Sequence, residues 1–127
     1  MPFEYVDRRR VDWVDTDAGG RIHHTAAFRY AEHAETEALR TAGITGPSSY
    51  PRRRVEAEFL KVLRFDDELE VQLRAEHVGR TSITWAWTIS RDGEACVEGR
   101  HTVVHVDDEG RPTPLRQDVR AKLEASA

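Results

Sequence analysis

The chain is organised around one stretch, which reads Val11-Asp12-Trp13-Val14-Asp15-Thr16-Asp17-Ala18-Gly19-Gly20-Arg21-Ile22-His23-His24-Thr25. A strand-like segment leads into an acidic turn, in which Gly19 and Gly20 permit backbone angles that other residues avoid. Two histidines end the turn, and Thr25 is the predicted N-cap of the helix that follows. Carboxylate, imidazole and a helix N-terminus are therefore close together in the sequence, and each can act on a carbonyl.

The helix after this turn is predicted to run from Ala26 to Ala42. Small and apolar side chains recur at helical spacing and form one stripe. The stripe consists of Ala27, Ala31, Ala34, Ala38 and Ala42, with Phe28, Tyr30 and Leu39 beside it. Because alanine side chains let a neighbouring element approach closely, we expect this helix to be buried against a sheet.

The hydrophobic period then changes from 3.6 to 2, which indicates strands. Residues 45–51 are predicted as a loop, and a short helix is predicted at 115–125. Strands are predicted at 3–14, 52–63, 70–78, 81–90 and 94–106. Tight turns join most of them, and tight turns make antiparallel neighbours. The predicted fold class is therefore α+β, an antiparallel sheet of five to six strands wrapped around one long central helix.

Length, composition and charge exclude several classes of protein. The 127 residues indicate one domain, covering 1–127. The net charge of -4 gives no general attraction to nucleic acid or to an anionic membrane, and no apolar run is long enough to span a bilayer. Cys96 is the one cysteine, which excludes an internal disulfide, and we expect it to be a small buried residue. In the absence of a targeting pattern we expect a cytoplasmic protein.

The order of elements resembles the hot-dog fold. Asp15-Thr16-Asp17-Ala18-Gly19-Gly20, followed by Ile22 and His24, looks like the signature of the 4-hydroxybenzoyl-CoA thioesterase-like acyl-CoA thioesterases. The resemblance covers roughly residues 5–106 and is most specific in the signature turn. It implies hydrolysis of an acyl-CoA or acyl carrier protein thioester, and we expect no cofactor and no metal.

The resemblance also implies roles for individual residues. Asp17 matches the family's catalytic carboxylate, which either attacks the thioester carbonyl or deprotonates a water molecule. His24 matches the position at the helix start whose backbone N–H polarises that carbonyl, and its side chain is counted with the active site. Arg80 matches a position that contacts the nucleotide, and Thr81 and Ser82 beside it are expected to donate to phosphate or pantetheine.

Further substrate contacts are predicted at Trp13, Ala27 and Arg64. Trp13 stands where related proteins often have Tyr, and Ala27 where they often have a large aromatic side chain. We expect these departures to change which acyl group the protein accepts more than which reaction it catalyses. Arg64 is predicted because guanidinium groups suit bidentate contacts to phosphate. Asp15 is expected to support the turn by accepting hydrogen bonds from backbone N–H groups.

Two other functions stay open. A hot-dog dehydratase or hydratase would pair His23 or His24 with Glu32 or Glu35 of the helix. Adjacent histidines cannot both point into one site unless the backbone is irregular, and His24 is the preferred one. The second alternative is a non-catalytic acyl-CoA binding module. The thioesterase is favoured because the spacing around Asp17 fits it better.

The oligomeric state is predicted from the sheet. A sheet wrapped around one helix leaves an exposed edge, which natural proteins cover. Hot-dog proteins pair two sheets edge to edge in a dimer and often stack dimers into a tetramer. The resemblance therefore implies a homodimer or homotetramer with active sites between subunits.

Overall fold

The computed structural model describes residues 3–44 and 50–124, so residues 45–49 of the predicted 45–51 loop lie outside the described part. Five strands and two α-helices follow the predicted order. The elements are β1 (Glu4–Arg10), a 3-10 turn (Trp13–Asp15), α1 (His24–Thr41), β2 (Arg52–Phe59), β3 (Glu68–Val78), β4 (Ser82–Arg91), β5 (Glu94–Val104) and α2 (Gln117–Glu124). Neither helix in these two ranges combines the length and the hydropathy that a membrane crossing needs.

All five strands form one antiparallel sheet in the order β1-β3-β4-β5-β2, which confirms the predicted fold class. The alternating apolar side chains of β3 and β4 are buried in the same core as the apolar side chains of α1. They are Leu69, Val71, Leu73, Ala75, Ile83, Trp85, Trp87 and Ile89. The alanines that α1 presents to the sheet, Ala27, Ala31, Ala34 and Ala38, have no exposed surface. The predicted close approach of helix and sheet is therefore confirmed.

The first strand is shorter than the predicted 3–14. It ends at Arg10, and the Asp15 N–H then donates to the Asp12 carbonyl at 3.0 Å to close the 3-10 turn. Because a 3-10 turn does not alternate its side chains as a strand does, Trp13 and Val14 are both exposed. The prediction that residues 11–14 continue the strand is wrong.

The start of α1 also differs from the prediction. The helix begins at His24, and its N-cap is His23, whose Nδ1 accepts the Thr25 N–H at 3.2 Å and lies 2.8 Å from the Thr25 hydroxyl. Thr25 therefore lies in the first turn, and the prediction that it is the N-cap is wrong. An imidazole nitrogen accepts the hydrogen bond that Ser, Thr, Asn or Asp usually accepts at this position.

Candidate active site

Backbone amides orient the carboxylate of Asp17. Its Oδ1 accepts the N–H groups of Gly19 at 2.8 Å and Arg21 at 3.3 Å, while the Gly20 N–H donates to the Asp17 carbonyl at 3.0 Å. Gly20 has φ +79°, a left-handed angle that glycine adopts without strain. Within the part of the chain that the structure describes, Oδ2 has no hydrogen-bond partner and Asp17 is exposed. One carboxylate oxygen is therefore held while the other is open to a substrate or water.

A second turn in the chain has the same hydrogen bonds. Asp107 Oδ1 accepts the N–H groups of Glu109 at 2.9 Å and Arg111 at 3.0 Å, and Gly110 has φ +82°. The Asp107 N–H donates to the Arg111 carbonyl as the Asp17 N–H does to that of Arg21. The turn geometry alone therefore does not distinguish Asp17. What distinguishes it is the helix N-terminus that follows within seven residues.

The N-terminus of α1 offers a free donor. The Ala26 N–H donates to the His23 carbonyl at 2.8 Å and the Thr25 N–H to the His23 ring, whereas the His24 N–H has no acceptor among residues 3–44 and 50–124. The His23 and His24 rings stack with their centroids 4.3 Å apart. The backbone is extended at His23 and helical from His24, and this irregularity lets adjacent rings lie on one side. The irregular backbone that would let both imidazoles approach one site is therefore present, and the preference for His24 stays a prediction.

Asp15 anchors the turn to α1. It is buried, its Oδ1 accepts from Arg29 at 2.6 Å, and its Oδ2 accepts the Tyr30 hydroxyl at 2.9 Å. Its carbonyl accepts the His23 N–H at 2.8 Å. The expectation that the Asp15 carboxylate binds backbone amides is wrong, because two helix side chains bind it instead. The sequence did contain one indication of this contact. Tyr30 lies beside the apolar stripe of the helix, and a buried tyrosine hydroxyl needs a hydrogen-bond partner.

These contacts shift the pKa values of both Asp15 and Tyr30. Burial alone would raise the pKa of Asp15, but the hydrogen bonds from Arg29 and Tyr30 and the charges of Arg29 and Arg9 hold it below its ordinary value. Burial, and then the hydrogen bond to Asp15, raises the pKa of Tyr30 to about 12. Asp15 is therefore held as a carboxylate and Tyr30 as a neutral hydroxyl donor.

The stability of the protein is expected to depend on Tyr30 at high pH. The unfolded tyrosine ionises near 10 and the folded one near 12, so the contribution of Tyr30 is complete below pH 10 and is lost as the pH rises to 12. Two pKa units correspond to about 2–3 kcal/mol. Urea unfolding between pH 9 and 12 is expected to show this extra loss in the wild type relative to Tyr30→Phe. Parallel pH curves for the two proteins would contradict the assignment.

The predicted acyl-side residues lie in different surroundings. Trp13 is 73% exposed, and its ring meets that of Phe65 edge to face with the centroids 5.5 Å apart. Together they form an exposed aromatic surface beside the Asp17 turn. Ala27 has no exposed surface and packs in the core, so its place in an acyl pocket stays a prediction. Arg64 is exposed and pairs with Arg21 in an antiparallel bridge.

The predicted nucleotide-side residues are distant from Asp17 within one chain. Arg80, Thr81 and Ser82 lie in and after the turn that follows β3, whereas residues 63–64, which pair with residues 21–22 after Asp17, precede β3. The eleven residues of β3 span about 35 Å. The structure therefore does not bring Arg80 and Asp17 together in a single chain.

A buried polar network joins the middle of α1 to the sheet. Glu35 is 6% exposed, and its Oε1 lies 2.8 Å from His101 Nε2 and 2.7 Å from a guanidinium nitrogen of Arg52. The Trp87 indole donates to His101 Nδ1 at 3.2 Å. Because an indole only donates, His101 carries its proton on Nε2 and donates it to Glu35. The hydratase alternative placed Glu35 beside His23 or His24, but its histidine partner is His101.

The sequence comparisons agree with this architecture. The profile of the thioesterase superfamily matches residues 19–98, which is more than half of the chain and begins just after Asp17. The chain belongs to the thioesterase superfamily. The acyl-CoA thioester hydrolase YbgC of Escherichia coli O6:H1 is 30% identical over 119 residues, which are 88% of this chain and 84% of that protein. A protein of Aquifex aeolicus named only as an esterase is 35% identical over 114 residues, which are 82% of this chain and 86% of that protein.

Solved structures share the fold of this thioesterase. The crystal structure of a hypothetical protein from Aquifex aeolicus superimposes with a TM-score of 0.88 and 28% identity, covering 94% of this chain and 98% of that one. The fold is the hot-dog fold that the turn and the element order predicted. The protein is therefore an enzyme that hydrolyses thioesters.

Proposed function

We propose that this thioesterase hydrolyses an acyl-CoA, with Asp17 as the reacting carboxylate and the His24 N–H as a donor to the carbonyl oxygen. The observation that carries the proposal is the open Asp17 Oδ2 in a turn that leads directly into a helix N-terminus with a free N–H. The name of the Escherichia coli relative supports coenzyme A as the thiol carrier.

The chemistry follows from these two groups. Attack on a thioester places negative charge on the carbonyl oxygen, and an unpaired N–H at a helix N-terminus stabilises that charge together with the helix dipole. Asp17 either attacks the carbonyl, expelling the thiolate and leaving an acyl-aspartyl anhydride that water hydrolyses, or takes a proton from the attacking water. Both routes consume one water and yield one acid and one thiol.

The function is tested by thiol release from a panel of acyl-CoAs. The panel contains short and long aliphatic groups and aromatic groups. An exposed aromatic surface such as Trp13–Phe65 can contact any of these acyl groups, so the structure does not choose among them. We expect thiol release far above the uncatalysed rate with at least one acyl-CoA. The absence of release with every acyl-CoA would overturn the proposal.

We further propose that the active sites lie between subunits of a homodimer or homotetramer. β2 is an edge strand of the sheet. Val55 and Phe59 lie on the same face as the buried His101 and Val97 of β5, yet their side chains remain 49% and 46% exposed because no strand in the described part of the chain covers this edge. A sheet edge with exposed apolar side chains favours pairing with a second copy. Arg80 and Asp17 are far apart within one chain. In a paired assembly, Arg80 of one subunit could contact the nucleotide of a thioester that reacts at Asp17 of the other subunit.

Charges on β2 are expected to break this assembly. Val55→Asp combined with Phe59→Asp buries two carboxylates at the proposed interface, so we expect a shift to monomer in sedimentation at micromolar concentration and a loss of thioesterase activity. Val6→Asp is the matched control, because Val6 is a half-exposed valine on the opposite edge strand β1. A wild-type protein that sediments as a monomer would contradict the proposal.

A further inference from the structure

Two arginines lie opposite each other beside Asp17. Arg21 and Arg64 are partners in an antiparallel bridge, and the Ile22 N–H donates to the Leu63 carbonyl at 2.9 Å. The same ladder continues across the turn, because Thr16 pairs with Ile22. Three short segments, 16–17, 21–22 and 63–64, therefore form a small antiparallel ladder outside the main sheet.

The two faces of this ladder differ. Residues directly opposite each other in antiparallel segments project to the same face. The side chains of Ile22 and Leu63 project to one face of this ladder, and that face is buried in the core. The side chains of Asp17, Arg21 and Arg64 project to the opposite face, and all three are exposed. One carboxylate and two guanidinium groups therefore share the solvent face.

The two guanidinium groups lack the ion pairs that most arginines of this protein make. Thirteen of the 17 arginines have a carboxylate oxygen within 4.0 Å, and Arg21 and Arg64 are not among them in the described part of the chain. Asp17 Oδ1 is bound by backbone amides and forms no ion pair with Arg21. Like charges directly opposite each other destabilise a ladder. This pair therefore has uncompensated positive charge next to the proposed reacting carboxylate.

Resting on the proposed function, we propose that Arg21 and Arg64 together bind one anionic group of the thioester substrate. Guanidinium groups bind carboxylate and phosphate through paired N–H donors, and two of them on one face match a single oxyanion. Neighbouring segments of a ladder are about 5 Å apart, so the bound anion lies within about 10 Å of Asp17. This short span favours a carboxylate on the acyl group, and the phosphates of coenzyme A are the other source of the same chemistry.

The test uses four substrates and three variants. The acyl groups are the neutral chain that the wild type hydrolyses fastest and the same chain with a terminal carboxylate. Each is supplied as a coenzyme A thioester and as an N-acetylcysteamine thioester, which has no phosphate. The variants are Arg21→Gln, Arg64→Gln and the double variant, with Arg111→Gln as the control for loss of an exposed guanidinium. Thermal unfolding is measured for every variant.

Each single substitution is expected to lower kcat/KM by about 10- to 100-fold for substrates that carry the recognised anion, mainly through KM, and by less than about threefold for the others. A loss confined to carboxylate-bearing acyl groups on both carriers supports the acyl source. A loss confined to coenzyme A thioesters supports the phosphate source. Equal losses on all four substrates, or no loss, would overturn the inference while leaving the proposed function intact. A wild type that is inactive on the whole panel would instead overturn the function.

Discussion

Asp17→Asn is expected to lower kcat for thioester hydrolysis by about 100- to 10,000-fold, because an amide can neither attack the carbonyl nor accept a proton from water. The amide oxygen still accepts the N–H groups of Gly19 and Arg21 that orient Oδ1. The turn is therefore expected to keep its shape and KM to change little. Steady-state kinetics on the best acyl-CoA of the panel measures both constants.

Asp107→Asn is the matched control for this experiment. Asp107 accepts two backbone N–H groups at 2.9 and 3.0 Å in a turn with the same hydrogen bonds, but no helix N-terminus directly follows it. Both substitutions are expected to change stability by similar amounts, and only Asp17→Asn is expected to lower kcat. If Asp17→Asn keeps more than a tenth of the activity, the reacting carboxylate is not Asp17, and the enzyme class still stands.

Glu35→Ala is expected to lower the free energy of unfolding by about 2–3 kcal/mol, because a buried donor left without its acceptor costs about 1–3 kcal/mol and the hydrogen bond to the charged Arg52 is lost as well. The substitution leaves the His101 Nε2–H without its acceptor at a site that is 3% exposed, and it removes the nearest carboxylate from Arg52. Glu35→Gln keeps an oxygen acceptor for His101 and is expected to cost about 1–2 kcal/mol.

Glu37→Ala is the control on the same helix. Glu37 pairs with Arg40 at 2.7 Å on the helix surface, and such exposed pairs contribute less than about 1 kcal/mol. Urea unfolding of all variants at one protein concentration measures the differences, because the stability of an oligomer depends on concentration. A cost for Glu35→Ala no larger than that for Glu37→Ala would show that the buried network does not stabilise the fold.

The fold was predictable because its signals are local and periodic. The alanine stripe of α1 and the alternating apolar residues of β3 and β4 each specify one buried face, and tight turns specify antiparallel neighbours. The signature turn around Asp17, taken together with the order of elements, indicated the family. Element ends were less predictable, since the 3-10 turn at Trp13–Asp15 and the N-cap at His23 depend on single hydrogen bonds.

The sequence by itself determined the α+β class and the central helix, because periodicity and turn chemistry act over a few residues. Only the tertiary structure decided which side chains meet. It paired Asp15 with Arg29 and Tyr30, Glu35 with His101, and Arg21 with Arg64. These partners are 14 to 66 residues apart in sequence, and their contacts follow from how the helix lies on the sheet and from ladder register. No local pattern of residues encodes that packing.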